Sequence, residues 1–483
     1  MYIGLDLGTS GLRAVLVADD GRLIASGAES YATQQPHPGW SEQDPGLWTS
    51  AVDAVLSQMA AQHPSAMAQV RGMGVSGHMH GAVCLDTRGA ILRPCILWND
   101  SRAGVEAAEL DARQGVRETS GNIVFPGFTA PKLMWMARHE PQLFEACAKV
   151  LLPAGYMNFH LTGEYFADMS DAAGTAWLDT GGRDWSETLL DACGLTRAQM
   201  PRLIEGCEVG GTLRPDLAAR WGMSDQVAVV GGAGDNAASA CGVGALGEGT
   251  GFVSLGTSGV VLTGRDSYAP APASAVHSFC HAVPDRWYQM GVILSATDSL
   301  NWLSRVTGAA PATLAKDLPD QINGPGRLRF MPYLSGERTP HNDPQVRGGF
   351  LNIEQGTDRA AMTQAVMEGV AFALGDCAQA LRGTGAQLNS LLAIGGGTAS
   401  RYWLQTIATV LDVTLELPEA GDFGAALGAA RLAMVGTGAG SVEDIMQPPK
   451  VAERIAPRSD LVAAYREAHA AFAACYPMLR EVS

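Results

Sequence analysis

Length, composition and charge exclude several classes of protein. The chain has 483 residues, well beyond one ordinary domain, so we expect more than one domain and a large buried core. Hydrophobic residues make up 47% and charged residues only 17%, which is typical of a globular protein. The net charge of −16 disfavours contact with nucleic acid and anionic membranes, so we expect neither as a partner.

Lysine and cysteine usage narrow the choice further. There are only four lysines and none follows a glycine, so the phosphate-binding pattern GxxxxGK[ST] is missing. The nine cysteines include no CxxC pair, which argues against a disulfide framework or a zinc site. Asp6 stands where a secretory leader would need apolar residues, so we expect a cytoplasmic protein.

The chain contains an internal repeat. The segment 6–11, DLGTSG, returns as SLGTSG at 254–259, about half a chain length later, and both copies lie between apolar runs. Each copy predicts a β-hairpin with a Gly-Thr-Ser-Gly turn, and the matching flanks argue against a chance recurrence. The backbone N–H groups of Gly8, Thr9 and Ser10, with their hydroxyls, would suit a phosphate. Two such turns predict two α/β domains around a nucleotide cleft.

The remaining elements alternate between strands and helices, as expected for an α/β fold. The domain boundary is predicted within 236–250, which is rich in Gly and Ala. The helix that ends the chain, after about residue 457, could pack back onto the first domain. Strands are predicted at 70–76, 81–85, 226–230 and 391–394, and helices at 359–381 and 400–411.

Asp6 ends the first apolar strand, so its carboxylate would stand beside a phosphate held by the first turn. Two negative groups repel each other unless a divalent cation lies between them. We therefore expect Asp6 to organise Mg²⁺, directly or through water; the alternative is an Asp that caps its own turn. Arg13, on the outgoing strand, could supply positive charge to the phosphates, or could simply face solvent on an edge strand.

Asp235 follows an apolar strand within a run of small residues, so its carboxylate is predicted to face a cleft. A hydroxyl that accepts a phosphoryl group needs a proton acceptor, and Asp is the common choice in kinases. The alternative is a helix N-cap, and both roles can coexist. The pairs His78/His80 and His277/His281 do not have the spacing of a metal site.

The chain resembles the FGGY carbohydrate kinases, and the similarity runs nearly from end to end. No single motif is decisive, but their order and spacing together are specific. The segments that carry the resemblance are 4–10 (GLDLGTS), 40–45 (WSEQDP), 77–81 (GHMHG), 97–100 (LWND), 127–132 (GFTAPK), 168–175 (DMSDAAGT), 332–341 (PYLSGERTPH), 395–397 (GGG) and 421–428 (GDFGAALG).

The resemblance implies a duplicated actin-like, ribonuclease-H-type ATPase fold, with two domains hinged around a nucleotide and sugar cleft. The N-terminal kinase domain, 1–242, would carry the sugar-binding side and the first phosphate turn, and the C-terminal kinase domain, 243–483, the ATP-binding side. The implied reaction transfers the γ-phosphate of ATP to the 5-hydroxyl of D-xylulose. A homodimer is compatible with the sequence.

The resemblance also implies roles for single residues. Asp235 would be the catalytic base and Asp6 the second catalytic residue, in the metal and phosphate site. The residues implied in binding sugar are Met79, His80, Asp235 and Asn236, and those implied in binding nucleotide are Thr9, Ser10, Arg13, Gly256, Thr257, Gly396 and Gly397.

Two departures from the family pattern bear on sugar preference: His78 stands where glutamine is expected, and Ala233 interrupts a glycine run. An FGGY kinase acting on ribulose, gluconate or glycerol is therefore an alternative. A non-kinase actin-like ATPase is a second alternative from another class.

Overall fold

The computed structural model describes residues 1–419 and 424–483. The first half builds a seven-stranded sheet around the predicted hairpin, in which Tyr2–Leu7 runs antiparallel to Gly11–Val17 and parallel to Gly72–Gly77. The strand order is Val209–Thr212, Ala228–Val230, Gly72–Gly77, Tyr2–Leu7, Gly11–Val17 and Leu23–Ser30, with Ala233–Gly234 also paired to Gly72–Gly77.

The second half repeats this plan. Its hairpin, Gly251–Leu255 with Gly259–Arg265, again has a parallel strand, Ser390–Ile394, on the side of its first strand. The strand order is His277–Cys280, Trp287–Ile293, Gly259–Arg265, Gly251–Leu255, Ser390–Ile394, Thr414–Pro418 and Val451–Ile455. The repeat therefore extends from a six-residue motif to whole sheets, and the predicted duplicated α/β fold is confirmed.

Two helices made of small residues join the halves. Helix Asp235–Val243 packs against helix Ala425–Gly436, which belongs to the second half in sequence but lies on the first sheet. A Cβ atom at Gly4 would stand 1.8 Å from the Ala426 carbonyl oxygen, and one at Gly428 would stand 1.8 Å from that of Ala238. Only glycine permits this close packing at either position.

The two long helices predicted in the second half are confirmed, as Arg359–Gly383 and Arg401–Leu411. Their apolar faces pack on each other and on the second sheet. The other helices are Pro45–Gln62, Pro64–Met67, Gly104–Asp111, Val116–Ser120, Thr129–His139, Pro141–Ala146, Pro153–Thr162, Met169–Ala172, Glu187–Asp191, Pro215–Arg220, Thr297–Thr307, Pro311–Lys316 and Val442–Ile445, with 3₁₀ turns at Ala173–Thr175, Arg197–Gln199, Pro272–Ser274 and Gly396–Ala399.

The end of the chain corrects one prediction. Helices Val462–Ala473 and Tyr476–Val482 pack on the second half, not back onto the first domain. The reason is a matched surface: Tyr465 and Phe472 are buried against helix Arg359–Gly383, and His469 Nε2 lies 2.7 Å from Asp376 Oδ1 on that helix.

Short strand pairs complete the fold, and they lie mostly in the first half. They are Glu42–Gln43 with Cys95–Ile96, Val83–Leu85 with Lys149–Leu151, Phe166–Asp168 with Arg202–Ile204, Leu178–Asp179 with Asp184–Trp185, and Arg329–Met331 with Gly349–Leu351. Within the described ranges no helix is both long enough and apolar enough to cross a membrane. Residues 421–423 of the last motif lie outside the described residues.

Candidate active site

The first hairpin turn, Gly8–Ser10, is held from behind by side chains. Gly8 O accepts a hydrogen bond from the Tyr31 hydroxyl at 2.8 Å, and Thr9 O accepts one from Gln43 Nε2 at 3.0 Å. Trp98 Nε1 donates to the Thr9 hydroxyl at 3.0 Å. The Gly8 N–H donates to the Gly11 carbonyl, so the expectation that it is open to phosphate is wrong. A hairpin turn consumes that donor to close itself.

Asp6 and Arg13 lie opposite each other in the hairpin register. The Ser76 hydroxyl donates to Asp6 Oδ1 at 3.2 Å from the neighbouring parallel strand. Asp6 is half-buried and Arg13 is exposed. The strand that carries Arg13 has a neighbour on both sides, so the alternative of an edge strand is wrong.

Asp235 is the first residue of helix Asp235–Val243, and Gly234 is the N-cap. The alternative of an Asp235 N-cap is therefore wrong. Instead, Asp235 Oδ1 accepts hydrogen bonds from Asn236 N at 2.7 Å and Asn236 Nδ2 at 2.8 Å. Burial and the negative charge of Asp6 raise the pKa of Asp235 to about 7, while the Asn236 bonds oppose the shift. A carboxyl with this pKa can accept and release a proton near neutral pH.

Met79 and His80 extend the site away from Asp235. A Cβ atom at Gly234 would stand 2.8 Å from Met79 Cγ, so Met79 packs against the residue that precedes Asp235. His80 Nδ1 lies 2.6 Å from Gly174 O, and a carbonyl only accepts, so Nδ1 carries the proton. Burial lowers the pKa of His80 to about 3. The ring is therefore neutral near pH 7, and its Nε2 is an acceptor.

The backbone of His80 has a left-handed conformation, with φ of 71°. Its carbonyl accepts from Thr129 Oγ1 at 3.1 Å and from Lys132 Nζ at 2.7 Å, both on helix Thr129–His139. Lys132 is fully buried, and burial lowers its pKa to about 7. These two donors hold an unfavourable backbone angle, a feature typical of functional positions.

Two further acidic residues, Asp168 and Asp171, lie near Asp235. Ser170 Oγ donates to Asp168 Oδ2 at 2.5 Å and accepts from Gly234 N at 3.1 Å, so it connects Asp168 to the strand before Asp235. Burial raises the pKa of Asp168 to about 7, and burial with the charges of Asp168 and Asp235 also raises the pKa of Asp171. These neighbouring carboxylates disfavour further negative charge around Asp235.

The second turn is held by backbone N–H groups and one side-chain hydroxyl. Gly256 O accepts from Thr297 N at 3.0 Å and Thr297 Oγ1 at 2.8 Å, and Thr257 O accepts from Ala296 N at 2.8 Å. These donors stand at the start of helix Thr297–Thr307. The structure thus ties the second turn to a helix N-terminus, which favours a nearby anion.

Gly396 and Gly397 lie beside this second turn. A Cβ atom at Gly397 would stand 2.7 Å from Leu255 Cβ, one residue before the turn. Both glycines line a cavity of about 880 Å³, a volume within the usual range of small-molecule binding pockets. Other lining residues are Thr297, Asn301, Lys316, Gln321, Arg401 and Trp403.

The predicted residues fall into three groups. Asp6, Met79, His80, Asp235 and Asn236 lie together in the first half. Gly256, Thr257, Gly396 and Gly397 lie together in the second half. Thr9 and Ser10 form the first turn, and Arg13 follows them on strand Gly11–Val17. His78, a departure from the family pattern, is buried with its ring 5.5 Å from that of Trp48.

Residue-by-residue reasoning missed Gln43, Trp98, Thr129, Lys132 and Ser170. All five lie in segments that carried the family resemblance, but no chemistry was assigned to them there. Their membership in those segments was the available signal.

Comparison with known proteins agrees with this geometry. The model of the FGGY family of carbohydrate kinases, N-terminal domain, matches residues 1–242, and that of the C-terminal domain matches 251–437. A "Xylulose kinase" of Escherichia coli K12 is 46% identical and one of Klebsiella pneumoniae 47%, each over 90% of both chains. A crystal structure of a "xyloylose kinase" from Brucella ovis is 52% identical over 100% of both chains, with a TM-score of 0.98.

The duplicated sheets and the family matches define an ATP-dependent sugar kinase with an actin-like ATPase fold. The chain belongs to the FGGY family of carbohydrate kinases.

Proposed function

We propose that the protein transfers the γ-phosphate of ATP to the 5-hydroxyl of D-xylulose, giving D-xylulose 5-phosphate and ADP. The choice of sugar is supported by the relatives named xylulose kinase, which match 90% of the chain at 46% and 47% identity. The observation that carries the chemistry is the Asp235 carboxyl, with its pKa raised to about 7 beside Asp6.

Asp235 acts as the general base in this proposal. Both Asn236 hydrogen bonds fall on Oδ1, which leaves Oδ2 to receive the proton of the sugar hydroxyl. As that proton leaves, the hydroxyl oxygen attacks the γ-phosphorus and the bond to the β-phosphate oxygen breaks. Met79 and His80 line the sugar, and His80 Nε2 accepts a hydrogen bond from one of its hydroxyls.

The phosphates lie between the two turns. Thr9 and Ser10 bind them from the first half, with Arg13 adding positive charge, and Gly256 and Thr257 bind them from the second. The adenosine occupies the cavity lined by Gly396 and Gly397.

Asp6 fits Mg²⁺, because magnesium is usually held by one or two carboxylates together with substrate phosphates and water. When bound, Mg²⁺ neutralises charge on the phosphates.

The test compares Asp235→Asn with the matched control Asp225→Asn, an exposed carboxylate of the same half. ADP release is measured with D-xylulose, D-ribulose, gluconate and glycerol, and the product is identified by ³¹P and ¹³C NMR. We expect kcat with D-xylulose to fall about 10²- to 10⁴-fold in Asp235→Asn and to stay within twofold in the control.

Two results would contradict the proposal. A near-parent rate in Asp235→Asn would contradict the role of Asp235 as general base. A higher kcat/KM for another sugar of the panel, or phosphate on another hydroxyl, would remove D-xylulose or the 5-position.

A further inference from the structure

An aromatic cluster around His80 crosses from the first half to the second. His80 stacks on Phe128, with ring centroids 4.6 Å apart, and His277 stacks on Phe279 at 5.3 Å. The two stacks meet through Phe128 and Phe279, whose centroids are 6.2 Å apart. Strand His277–Cys280, the outer strand of the second sheet, thus completes the surroundings of a predicted sugar ligand.

Strand His277–Cys280 is firmly attached to the first half. Asn122 Nδ2 donates to Ser278 O at 2.9 Å, and Ser278 N donates back to Asn122 Oδ1 at 2.9 Å. A paired amide contact of this kind fixes both position and orientation. The two bonds to Asn122 therefore fix the position of the strand that carries His277 and Phe279.

One buried side chain of this cluster lacks a hydrogen-bond partner within the described residues, and a cation stands beside it. His277 is 1% exposed, and neither ring nitrogen has a hydrogen-bond partner among the described residues. Arg338 has its Cζ 5.0 Å from the centre of the Phe125 ring and is only half-buried. In the described part of the chain, no carboxylate oxygen lies within 4 Å of its guanidinium. Burial of unpaired polar groups is costly, and a ligand that pairs them is a standard reason to retain them.

The order of side chains along the cleft places this pair at the far end from the base. Asp235 adjoins Gly234, which touches Met79, and Gly174 touches both Met79 and His80. The rings continue this order past His80. The Phe128 ring lies 4.6 Å from that of His80 and 6.1 Å from that of His277. The Phe125 ring lies 5.1 Å from that of His277 and 5.0 Å from Arg338 Cζ. Arg338 and His277 therefore lie beyond His80.

We propose that His277 and Arg338 form the distal part of the sugar site and hydrogen-bond the hydroxymethyl ketone end of a 2-ketose whose terminal hydroxyl lies at Asp235. The guanidinium has donors only, which suits the C2 carbonyl, and a neutral imidazole can pair with the C1 hydroxyl. This inference deepens the proposed function and rests on it. It makes the second half a contributor to sugar recognition.

The experiment measures binding of D-xylulose without nucleotide, by titration calorimetry. The variants are Arg338→Met and His277→Phe, which keep volume and remove the polar atoms, and the control is Arg286→Met, an exposed arginine paired with Asp266. We expect Kd for D-xylulose to rise about 10- to 100-fold in Arg338→Met and about tenfold in His277→Phe. The control should stay within twofold.

Analogues of the sugar test which groups are recognised. Xylitol lacks the C2 carbonyl and 1-deoxy-D-xylulose lacks the C1 hydroxyl. On the parent protein each should bind at least about fivefold more weakly than D-xylulose. The Arg338→Met loss should be smaller for xylitol than for D-xylulose. The parent measurements need no variant, so they judge the proposal even where a variant fails to fold.

Equal binding of D-xylulose by the parent and both folded variants would overturn the inference. Equal affinity of the parent protein for D-xylulose and for the two analogues would also overturn it. Failure of the proposed function has a different signature. The parent would then bind D-xylulose without sugar-stimulated ADP release, and the binding data would still judge the distal site.

Discussion

The two hairpin turns have the same backbone plan and different supports. In the first, the carbonyls of Gly8 and Thr9 accept hydrogen bonds from the side chains of Tyr31 and Gln43. In the second, backbone N–H groups at the start of helix Thr297–Thr307 donate to the carbonyls of Gly256 and Thr257, and the Thr297 hydroxyl adds one side-chain bond to Gly256 O. The duplication preserved the turn, while the means of holding it diverged.

This difference connects each turn to a different part of the cleft. Trp98, which bonds to Thr9, packs under the loop before helix Thr129–His139: a Cβ atom at Gly127 would stand 2.0 Å from Trp98 O. The next residue, Phe128, stacks on His80. Thr297, by contrast, lines the nucleotide cavity. Packing and hydrogen bonds thus connect the first turn to His80, in the proposed sugar site. They connect the second turn to the cavity proposed for the nucleotide.

The largest effect should come from the one acidic difference between the repeats. Asp6 in the first copy corresponds to Ser254 in the second. We expect Asp6→Ser, which makes the first copy like the second, to lower kcat about 10³-fold, because the carboxylate proposed to hold Mg²⁺ is lost. Steady-state ADP release with saturating D-xylulose measures this.

The matched control for that substitution is Ser254→Ala, at the equivalent place of the second hairpin. Its kcat should stay within about threefold of the parent, because a half-buried hydroxyl contributes little. Equal losses in the two variants would show that the copies are functionally equivalent and would refute the asymmetry.

The next effect separates side-chain support from backbone support. Gln43 Nε2 also donates to Ala32 O, and its Oε1 accepts from Trp48 Nε1 at 2.7 Å. Gln43→Met should lower kcat about tenfold, because the Thr9 carbonyl and its neighbours lose their partner at a cost of about 1–2 kcal/mol. Thr297→Val should cost less than threefold, since Thr297 N still bonds to Gly256 O.

Thermal melting accompanies both measurements, to separate an effect on catalysis from unfolding. A Thr297→Val protein that loses more activity than Gln43→Met, at equal folded fraction, would reverse the comparison of the two turns.

The loss of activity at low pH should come from a residue of the first half, Asp235. The pKa of Asp235 is raised to about 7 by burial and by Asp6, so this proposed base is protonated as pH falls through that value. We expect kcat/KM to fall about tenfold per pH unit below about pH 7 and to level off above it. In Asp235→Asn the residual activity should lose this acid limb. An unchanged limb in the variant would assign the titration to another group.

The two hairpins, the repeat and the long helices could be predicted from the sequence because their signals are local: apolar runs, a Gly-Thr-Ser-Gly turn and helical periodicity. The supports of the first turn could not, because Gln43 and Trp98 lie 34 and 89 residues from Thr9. Only the folded sheet brings them together.

The same limit explains the terminal helix. Its apolar face, with Tyr465 and Phe472, shows that it must be buried, but which surface covers it depends on the shape of helix Arg359–Gly383. For the site, Asp6 and Asp235 were predicted from their places after apolar strands, and Met79 and His80 from the family resemblance. The donors that hold His80, Thr129 and Lys132, required coordinates.

The smallest expected effect tests the link between the first turn and the sugar side. Trp98→Phe keeps a ring over the cleft and removes only the Nε1–H bond to the Thr9 hydroxyl. Because the side chain is 38% exposed, water can replace the lost partner, and we expect kcat to fall about two- to fivefold. Thr9→Val removes the acceptor of the same bond, so the double variant should lose little more than either single one, with a coupling of about 0.5–1 kcal/mol. Fully additive losses would show that Trp98 and Thr9 act separately, and would contradict the link from the first turn through Trp98 to the loop that carries Phe128.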